Sequence, residues 1–353
     1  MIITNIGYER LELELLIPYT IAYEEISKAT NFILKIETDG PIVGFGCAAP
    51  DITVTHESPE DVEHDIQNSI IPILKGKNPF MVSQILEELS HQLPQKSSAL
   101  AMVDMALLDI SAKKMQVPLY QFLGGYRHEI ATSITIGILP LEETLKLTEE
   151  YVRQGFFILK IKGGLSLEED IEKLQKIREQ FPKIQLRFDG NQGYSVDETV
   201  AFDNAVKDVN IEILEQPTKP LLDKYLGEVK NTLDLPIMAD ESLKSVKDAF
   251  RLAKNQRIDM VNIKLMKVGG IHEGMRVNTI AKAAHLEAMV GCLDECSLGI
   301  SAGLHFALSR SNVKYADLDG HLEFKNDPFS DLLQLKNGIL KPSKNYGLGL
   351  KDW

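Results

Sequence analysis

The chain has 353 residues, of which 44% are hydrophobic and 25% charged, with a formal net charge of −13 and three cysteines. This composition is that of an ordinary soluble globular protein, and the length suffices for two domains. The negative charge argues against nucleic-acid or anionic-membrane binding, and three cysteines do not form a disulfide framework. The N-terminus lacks a signal-peptide pattern, and no apolar run approaches the roughly 20 residues that span a bilayer. We therefore expect a cytoplasmic protein.

The first part of the chain, residues 1–125, predicts an α+β domain. The segment "NFILKIETDG" is typical of a strand that ends in a turn, and "PIVGFGCAAP" is its predicted hairpin partner. A helical pattern begins after Ser58, an N-cap residue followed by Pro59 in the first turn. The run "SSALAMVDMALLDISAKK" is apolar on nearly all sides, which predicts a buried helix in which Asp104 and Asp109 are paired polar groups rather than metal ligands.

The second part, residues 126–321, alternates short apolar runs with amphipathic stretches. Strands that alternate with helices are typical of parallel βαβ units, and eight of them predict an α/β fold with a (β/α)₈ barrel. The residues that follow, 322–353, are polar and turn-rich, and we expect them to return to the N-terminal capping domain. The eight predicted strands lie in "TSITIGI", "FFILKIKGG", "IQLRFDGN", "IEILEQP", "LPIMADES", "DMVNIKLM", "EAMVGCLDE" and "VKYADLDG".

Carboxylates follow three consecutive strands of the predicted barrel. Asp189, Glu215 and Asp240 end the third, fourth and fifth strands, about one βα unit apart. The active sites of such barrels lie at the C-terminal ends of the strands, so these side chains should converge. Three neighbouring carboxylates repel one another unless a cation neutralises them, and oxygen ligands favour Mg²⁺ or Mn²⁺ over zinc. We therefore predict one Mg²⁺ per subunit, for which Mn²⁺ can substitute.

Two lysines end strands that lie opposite each other in a ring of eight. Lys162 ends the second strand and Lys264 the sixth, and alternation places Lys160 on the same face as Lys162. A lysine beside a divalent cation in a partly dry site has a lowered pKa and can act as a base. If the metal holds a substrate carboxylate, one lysine can remove the α-proton to form an enediolate and the other can return it on the opposite face. The arrangement predicts racemisation or epimerisation, or elimination if a leaving group occupies the β-carbon.

The chain resembles the enolase superfamily, in its muconate-lactonizing-enzyme-like subgroup. The matching motifs are "KIK", "FDGN", "LEQP", "ADES" and "NIKLMKVGG", and the resemblance covers essentially the whole chain, including the capping domain. It implies two acid/base lysines, three Mg²⁺ ligands and two residues that support the ligands: Lys162 and Lys264; Asp189, Glu215 and Asp240; Asn191 and Glu241.

Within that subgroup the chain is similar to dipeptide epimerases of the L-Ala-D/L-Glu type. The "DLD" of Asp317 to Asp319 matches the Asp-x-Asp that such enzymes place after the eighth strand, where it holds the free α-ammonium of the dipeptide. "TVTHES" resembles the family's flexible capping loop, from about residue 48 to residue 57. We expect Lys160 to add positive charge near the enediolate oxygen and Thr135 on the first strand to contact the substrate. Glu295 at the seventh strand tip is either structural or adjacent to the substrate.

One departure from the family pattern bears on specificity. Enzymes of this type that act on a C-terminal Glu carry an Arg in the first capping loop, whereas this chain places Glu24 there, in "PYTIAYEEISK". Glu24 and Glu25 would repel a glutamyl side chain and attract a cationic one, and Asp51 adds negative potential. We therefore expect dipeptides with Lys or Arg, or with an apolar residue packed on Tyr19 and Tyr23, in preference to Ala-Glu.

Other activities remain as alternatives. An o-succinylbenzoate synthase, a cycloisomerase or an N-acylamino-acid racemase of the same subgroup has a substrate without a free α-ammonium and needs no Asp-x-Asp. A second alternative is a barrel that binds a ligand without catalysing a reaction, but this function does not explain the opposed lysines. An acid-sugar dehydratase usually needs a His late in the barrel, whereas His272, His285 and His305 fall in predicted helices and His321 lies past the eighth strand. The exact dipeptide, the direction of the reaction and association into a homo-oligomer stay open.

Overall fold

The structure is a computed structural model of the 353-residue chain. It describes residues 1–21, 24–220 and 223–353, and the side chains of residues 18–26 and 223 also lie outside the description. The sequence-based predictions for Tyr19, Tyr23, Glu24 and Glu25 concern side chains outside the described residues. None of the helices in the described ranges has the length and apolar character needed to cross a bilayer.

The N-terminal part combines an antiparallel sheet with helices, as predicted. Strand β2 pairs with both β1 and β3, which confirms the predicted hairpin. Gly44 and Gly46 of β3 let the sheet approach helix α4 closely, because a Cβ on either would lie 2.3 or 1.9 Å from a carbonyl oxygen of that helix. The elements are β1 (Ile3–Ile21), β2 (Glu24–Thr38), β3 (Val43–Ala48), α1 (Pro59–Asp65), a π-helical continuation (Ile66–Ile70), α2 (Ile71–Leu74), α3 (Val82–Gln92), α4 (Ser97–Lys114) and α5 (Leu119–Phe122).

Helix α4 is buried, as its sequence predicts, and its two acids hold other parts of the chain. Asp109 accepts hydrogen bonds from the backbone N–H groups of Phe45 and Leu348 at 3.0 and 2.8 Å. Asp104 accepts from the backbone N–H of Ile271 at 2.5 Å, where helix α12 of the barrel begins. Both acids are therefore paired groups of a core helix, which confirms the prediction, and they join the N-terminal domain to the barrel and the tail.

The barrel contains eight parallel strands in the order β12-β11-β10-β9-β8-β7-β6-β5, which confirms the predicted (β/α)₈ fold. An isolated parallel bridge between Thr132 and Ala316 brings the two edge strands together. The elements are β4 (Ile130–Ala131), β5 (Ile134–Ile136), α6 (Leu141–Arg153), β6 (Ile158–Lys162), α7 (Leu167–Gln180), β7 (Gln185–Asp189), α8 (Val196–Ala205), β8 (Ile211–Glu215), α9 (Asp223–Thr232), β9 (Ile237–Ala239), α10 (Val246–Lys254), β10 (Met260–Lys264), α11 (Leu265–Val268), α12 (Ile271–Ala283), β11 (Glu287–Gly291), α13 (Ser297–Ser309) and β12 (Val313–Asp317).

The chain after the last barrel strand contacts both parts of the molecule. A 3₁₀ turn (Gly320–Glu323) follows β12, and strands β13 (Leu333–Lys336) and β14 (Ile339–Pro342) form an antiparallel sheet with β4. The backbone N–H of Lys325 donates to the carbonyl of Glu14 on β1 at 2.9 Å. The tail thus reaches the N-terminal sheet, while the boundaries at residues 125 and 321 stay predictions.

A polar contact and two thiols connect the N-terminal sheet to the loop before α13. Cys47 of β3 and Cys296 are buried free cysteines whose Sγ atoms lie 3.6 Å apart. Asn31 of β2 accepts from the backbone N–H of Cys296 at 2.8 Å and donates to the carbonyl of Asp294 at 2.9 Å. The sheet therefore fixes the loop that follows the seventh barrel strand.

Candidate active site

The register of the parallel strands places the predicted site residues at one end of the barrel. Lys162 pairs with Asp189 across β6 and β7, and Asp189 pairs with Glu215 across β7 and β8. Lys264 and Asp317 both pair with Gly291 of β11, from either side. Strands β6 and β10 are four positions apart in the eight-strand order, so Lys162 and Lys264 end opposite strands. The spacing in the sequence therefore predicted the placement of these residues correctly.

Two loops at this end meet through glycine. Gly164 follows β6 with a φ of +100°, and a Cβ on it would lie 2.1 Å from the carbonyl oxygen of Gly190 after β7. A Cβ on Gly193 would lie 1.9 Å from the carbonyl oxygen of Gly164. The two loops touch backbone to backbone, which fixes the tips that carry Lys162 and Asp189 relative to each other.

Lys160 of β6 forms ion pairs with acids of three other strands instead of facing an open mouth. Its Nζ lies 3.1 Å from Asp189 Oδ2, 2.8 Å from Glu215 Oε2 and 3.0 Å from Asp317 Oδ2. Burial would lower the pKa of Lys160, but the negative charges, led by Asp189, raise it well above its usual value. Lys160 thus links the predicted metal ligands to the predicted ammonium site.

Asp240 is held by two lysines. Lys264 Nζ lies 2.9 Å from Asp240 Oδ2, and Lys267 of α11 binds both the carboxylate and the main-chain carbonyl of Asp240. Although burial acts in the opposite direction, these cations lower the pKa of Asp240. Burial would likewise lower the pKa of Lys264, but Asp240 raises it. This differs from the lowering expected beside a cation, because the carboxylate acts directly on the lysine.

Glu215, the second carboxyl of the predicted ligand set, resists ionisation. Burial raises its pKa to about 8 despite Lys160, and Asp189 and Asp240 add to the rise. Asn262 Nδ2 donates to Glu215 Oε1 at 2.7 Å. Among the described residues, Asn262 Oδ1 and Glu241 Oε2 are buried without a hydrogen-bond partner. The site therefore has more oxygen acceptors than donors.

The donor chemistry at these tips fits a divalent ion such as Mg²⁺. In the described part of the chain, no three His, Cys, Asp or Glu side chains are gathered to hold a metal, because the carboxylates bind lysine ammonium groups. Three buried carboxylates and the unsatisfied oxygen of Glu241 nonetheless supply the hard ligands that Mg²⁺ prefers. The residues that would hold it are Asp189, Glu215 and Asp240, so a metal and the lysines compete for the same oxygens.

The two predicted supporting residues are adjacent to these acids. Asn191 has a left-handed backbone with a φ of 43°, and its N–H donates to Asp189 Oδ1 at 3.0 Å. Burial raises the pKa of Glu241 to about 7, and the charges of Asp240 and Asp189 contribute. Asn191 therefore supports Asp189 through its backbone.

Lys162 differs from Lys264 in its surroundings. It is partly exposed, and it has no hydrogen-bond or ion-pair partner among the residues that the structure describes. Lys264 is tied to Asp240. The two lysines thus face the mouth in different states, one free and one ion-paired.

The "DLD" motif is buried where the first and eighth barrel strands meet. Asp317 Oδ1 accepts from Ser133 Oγ at 2.6 Å, and Asp319 Oδ2 accepts from the backbone N–H of Thr135 at 2.6 Å. Burial, together with Asp317, raises the pKa of Asp319 to about 6. Thr135 therefore positions Asp319, while its predicted contact with substrate stays a prediction.

Glu295 binds the backbone of its own loop. Its Oε1 accepts from the backbone N–H of Leu293 at 3.0 Å, and burial raises its pKa to about 7. The contact gives Glu295 a structural role at the tip of β11. A further contact with substrate stays open.

The C-terminal part of the predicted capping loop is held by two different parts of the molecule. Lys244 Nζ, from the barrel, donates to the carbonyl of Val54 at 3.1 Å and lies 3.0 Å from His56 Nε2. Glu57 accepts from the backbone N–H groups of Ser98 and Ala99 at 2.7 and 3.1 Å, at the start of α4. The loop therefore bridges the barrel and the N-terminal helices beside the mouth.

Three residues with roles in this network were not singled out from the sequence as site residues: Asn262, Lys267 and Arg187. Arg187 Nη1 donates to the carbonyl of Ala316 at 3.0 Å across the barrel. Asn262 and Arg187 lie two positions before Lys264 and Asp189, as Lys160 does before Lys162. Because side chains alternate along a strand, this spacing was a usable signal for residues that point into the barrel.

The chain matches two family models that together span most of its length. "Mandelate racemase / muconate lactonizing enzyme, N-terminal domain" matches residues 7–124, and "Enolase C-terminal domain-like" matches residues 143–351. The chain is similar to the L-Lys-D/L-Arg epimerase of Desulforapulum autotrophicum, at 39% identity over 99% of both chains.

Solved structures agree with the family models. A substrate-liganded L-Ala-D/L-Glu epimerase from Bacillus subtilis has a TM-score of 0.95 and 36% identity, with 99% of this chain and 98% of that chain covered. A dipeptide epimerase from Methylococcus capsulatus, complexed with Mg and the dipeptide L-Arg-D-Lys, has a TM-score of 0.94 and 34% identity, with 99% of each chain covered. The chain therefore belongs to the enolase superfamily and is an isomerase of its mandelate racemase / muconate lactonizing enzyme group.

Proposed function

We propose that the protein is a Mg²⁺-dependent dipeptide epimerase that inverts the α-carbon of the C-terminal residue by transferring a proton between two lysines. The observation that supports the proposal is that the lysines with the carboxylates between them, and the acids of the "DLD" motif, lie at the same end of the barrel. The opposed Lys162 and Lys264 flank the carboxylates, the buried Asp317 ends the eighth strand, and the buried Asp319 follows it. An α-proton between two bases accounts for the lysines, and a free α-ammonium accounts for the buried acids.

The substrate would lie with its carboxylate toward Asp189, Glu215 and Asp240 and its ammonium toward Asp319. Mg²⁺ held by those three acids would supply the positive charge that makes the α-proton more acidic. Lys160 connects the two ends of the substrate site, because its Nζ binds Asp189, Glu215 and Asp317 together. It therefore fixes the distance between the carboxylate end and the ammonium end.

The two lysines then act on opposite faces of the α-carbon. A lysine in its neutral form takes the α-proton, the C–H electron pair delocalises onto the substrate carboxylate, and the opposite ammonium delivers a proton to the other face. Lys162, at the end of β6, is the base for one isomer. Lys264, paired with Asp240 at 2.9 Å, suits the ammonium role for that same isomer. The roles reverse for the other isomer.

We further propose that cationic or apolar dipeptides are preferred over Ala-Glu. The preference rests on Glu24, whose side chain lies outside the described residues, and it is supported by the likeness to an L-Lys-D/L-Arg epimerase. Asp51 is engaged within its own loop, where its Oδ1 accepts from the N–H of Thr53 at 2.7 Å. Asp51 would therefore attract a cationic substrate side chain through long-range electrostatics and not through direct contact.

Mass spectrometry in D₂O with Mg²⁺ and a library of L,L-dipeptides tests the proposal. We expect one deuterium at the α-carbon of the C-terminal residue, with cationic dipeptides exchanging fastest. The double variant Lys162→Ala, Lys264→Ala prepared in parallel controls for contaminating enzymes. Exchange led by Ala-Glu would keep the reaction and discard the specificity. Exchange on N-acyl amino acids and on no dipeptide would instead identify an N-acylamino-acid racemase.

A further inference from the structure

Glu323 lies in the loop that follows the eighth barrel strand. It ends the 3₁₀ turn Gly320–Glu323, four residues after Asp319. The next residue, Phe324, is buried and forms an antiparallel bridge with Leu15 of β1. The side chain of Glu323 therefore leaves the backbone where the loop after the eighth strand is fastened to the N-terminal sheet.

The surroundings of Glu323 are short of positive charge. It is partly buried, and the described ranges offer it no hydrogen-bond or ion-pair partner. Of the charged groups that act most strongly on it, Asp294, Asp319 and Asp317 raise its pKa and Lys162 lowers it. Burial together with this excess of acids raises the pKa of Glu323 to about 8. A cation placed beside it would be strongly favoured.

A dipeptide bound as proposed above carries a side chain to this place. The α-ammonium of its first residue would lie against Asp319, and the side chain of that residue starts from the same carbon atom. Glu323 is one 3₁₀ turn further along the chain from Asp319. A Lys or Arg side chain, with its charge at the end of a flexible stem, can extend past the ammonium toward Glu323.

We propose that Glu323 binds the cationic side chain of the dipeptide's first residue and makes the enzyme selective for Lys or Arg at that position. The inference rests on the proposed epimerase function and deepens it. It is separate from the expectation for Glu24, which concerns the side chain of the second residue. Together they describe a substrate with a cation on both residues.

The experiment compares L-Lys-L-Arg with L-norleucyl-L-Arg, which differ at the end of the first side chain by an ammonium group. The readout is the ratio of their kcat/KM values for α-proton exchange in D₂O. In the wild-type protein we expect L-Lys-L-Arg to be favoured about 10- to 100-fold, the range for a hydrogen bond between charged groups. In Glu323→Gln the ratio should fall to near one.

A matched control removes a carboxylate of β1 that pairs with Lys325, two residues after Glu323. Glu14 is exposed, and its carboxylate lies 3.1 Å from Lys325 Nζ. Glu14→Gln should therefore keep the wild-type ratio, and thermal unfolding of both variants checks that they fold.

The outcomes separate the two proposals. A wild-type protein that exchanges both dipeptides equally, or a Glu323→Gln variant that keeps the full ratio, overturns the role of Glu323 and leaves the epimerase function standing. A wild-type protein that exchanges no dipeptide of any kind refutes the epimerase function, and the inference with it.

Discussion

The two sides of the barrel mouth are built differently. On the side of β7, β8 and β9, the carboxylates are neutralised by lysines of the chain itself, with Lys160 and Lys264 at 2.8 to 3.1 Å from their oxygens. After β12, Asp319 is held by a backbone N–H, and Glu323 has no partner among the described residues. Each carboxylate of the first side has a lysine partner, although Glu241 Oε2 and Asn262 Oδ1 nearby stay unsatisfied. On the second side, neither Asp319 nor Glu323 has an ion-pair partner among the described residues.

This difference indicates that catalysis and substrate recognition depend on different sides of the mouth. The carboxylate side depends on strand register, which places its acids together, and on buried ion pairs with which a bound Mg²⁺ would compete. The side after β12 lies in a 3₁₀ turn fastened to the N-terminal sheet, and its charge suits a ligand cation. We therefore expect substitutions on the first side to change the reaction itself and substitutions on the second to change which substrate reacts.

The largest effect is expected from the lysines between the two sides. Lys162→Ala and Lys264→Ala should each lower epimerisation by about 10²- to 10⁴-fold, because each removes one general acid/base. Each variant should still exchange the α-proton of the one isomer that its remaining lysine faces. Deuterium incorporation into L,L- and L,D-dipeptides measures this.

The control for these variants is Lys314→Ala, which removes an exposed lysine paired with Glu287 at the start of β12. It should leave the rates unchanged. Wild-type epimerisation by either active-site variant refutes the two-base scheme.

Metal removal is expected to have the next largest effect. Chelation should slow exchange by about 10³-fold, since a divalent ion contributes several kcal/mol of charge stabilisation. Mg²⁺ should restore the wild-type protein but not Asp240→Asn, because Lys264 and Lys267 would then lie near a ligand set short of one charge. Elemental analysis must accompany the assay, and a full rate in a metal-free sample would contradict the prediction.

On the other side of the mouth, Asp319→Asn should lower kcat/KM for dipeptides by about 10²-fold, mainly through KM. The cause is the loss of one partner from a desolvated charge pair with the α-ammonium. Steady-state kinetics on a dipeptide give the two parameters separately. Asp331→Asn, at an exposed acid of the tail, is the control. An unchanged KM in Asp319→Asn would place ammonium recognition elsewhere.

The smallest effect concerns a carboxyl outside the mouth whose raised pKa has a structural cause. Burial raises the pKa of Glu57 to about 7, although the N–H groups of Ser98 and Ala99 act against this. The folded state therefore favours the protonated form. Its contribution to stability is complete below the unfolded pKa near 4.5 and is lost as the pH rises through about 7.

Glu57→Gln should remove this pH dependence. Urea unfolding at pH 5 and pH 8 should show the wild-type protein losing about 2 to 3 kcal/mol more than the variant. Glu60→Gln, at an exposed glutamate nearby, should behave like the wild-type protein. Equal losses in the wild type and in Glu57→Gln would mean that Glu57 is ionised in the folded state throughout this range.

Much of the fold was predictable because it depends on local patterns. Alternating strands and helices indicated the barrel, and the N-cap at Ser58 was visible in the sequence. The placement of Asp189 beside Glu215 followed from one residue per βα unit, since parallel strands end at the same edge.

The ion pairs inside the mouth were not predictable in the same way. Lys160 binds Asp317 across 157 positions of the chain, a pairing that depends on the distance across the closed barrel. The ion pair by which Asp240 raises the pKa of Lys264 was likewise not indicated by the sequence, and the lowered pKa expected beside a bound divalent cation stays a prediction. Which charges meet is decided by side-chain reach inside a closed ring, and strand patterns carry no information about it.

The pair of buried thiols, Cys47 and Cys296, lies where the N-terminal sheet meets the barrel. Each thiol lies against the opposite part of the molecule, so separating the two parts would expose both. Their rate of reaction with a thiol reagent under native conditions therefore measures how often the halves come apart, in the way that hydrogen exchange measures local opening. The two native cysteines can therefore report the rate of this opening without an introduced label.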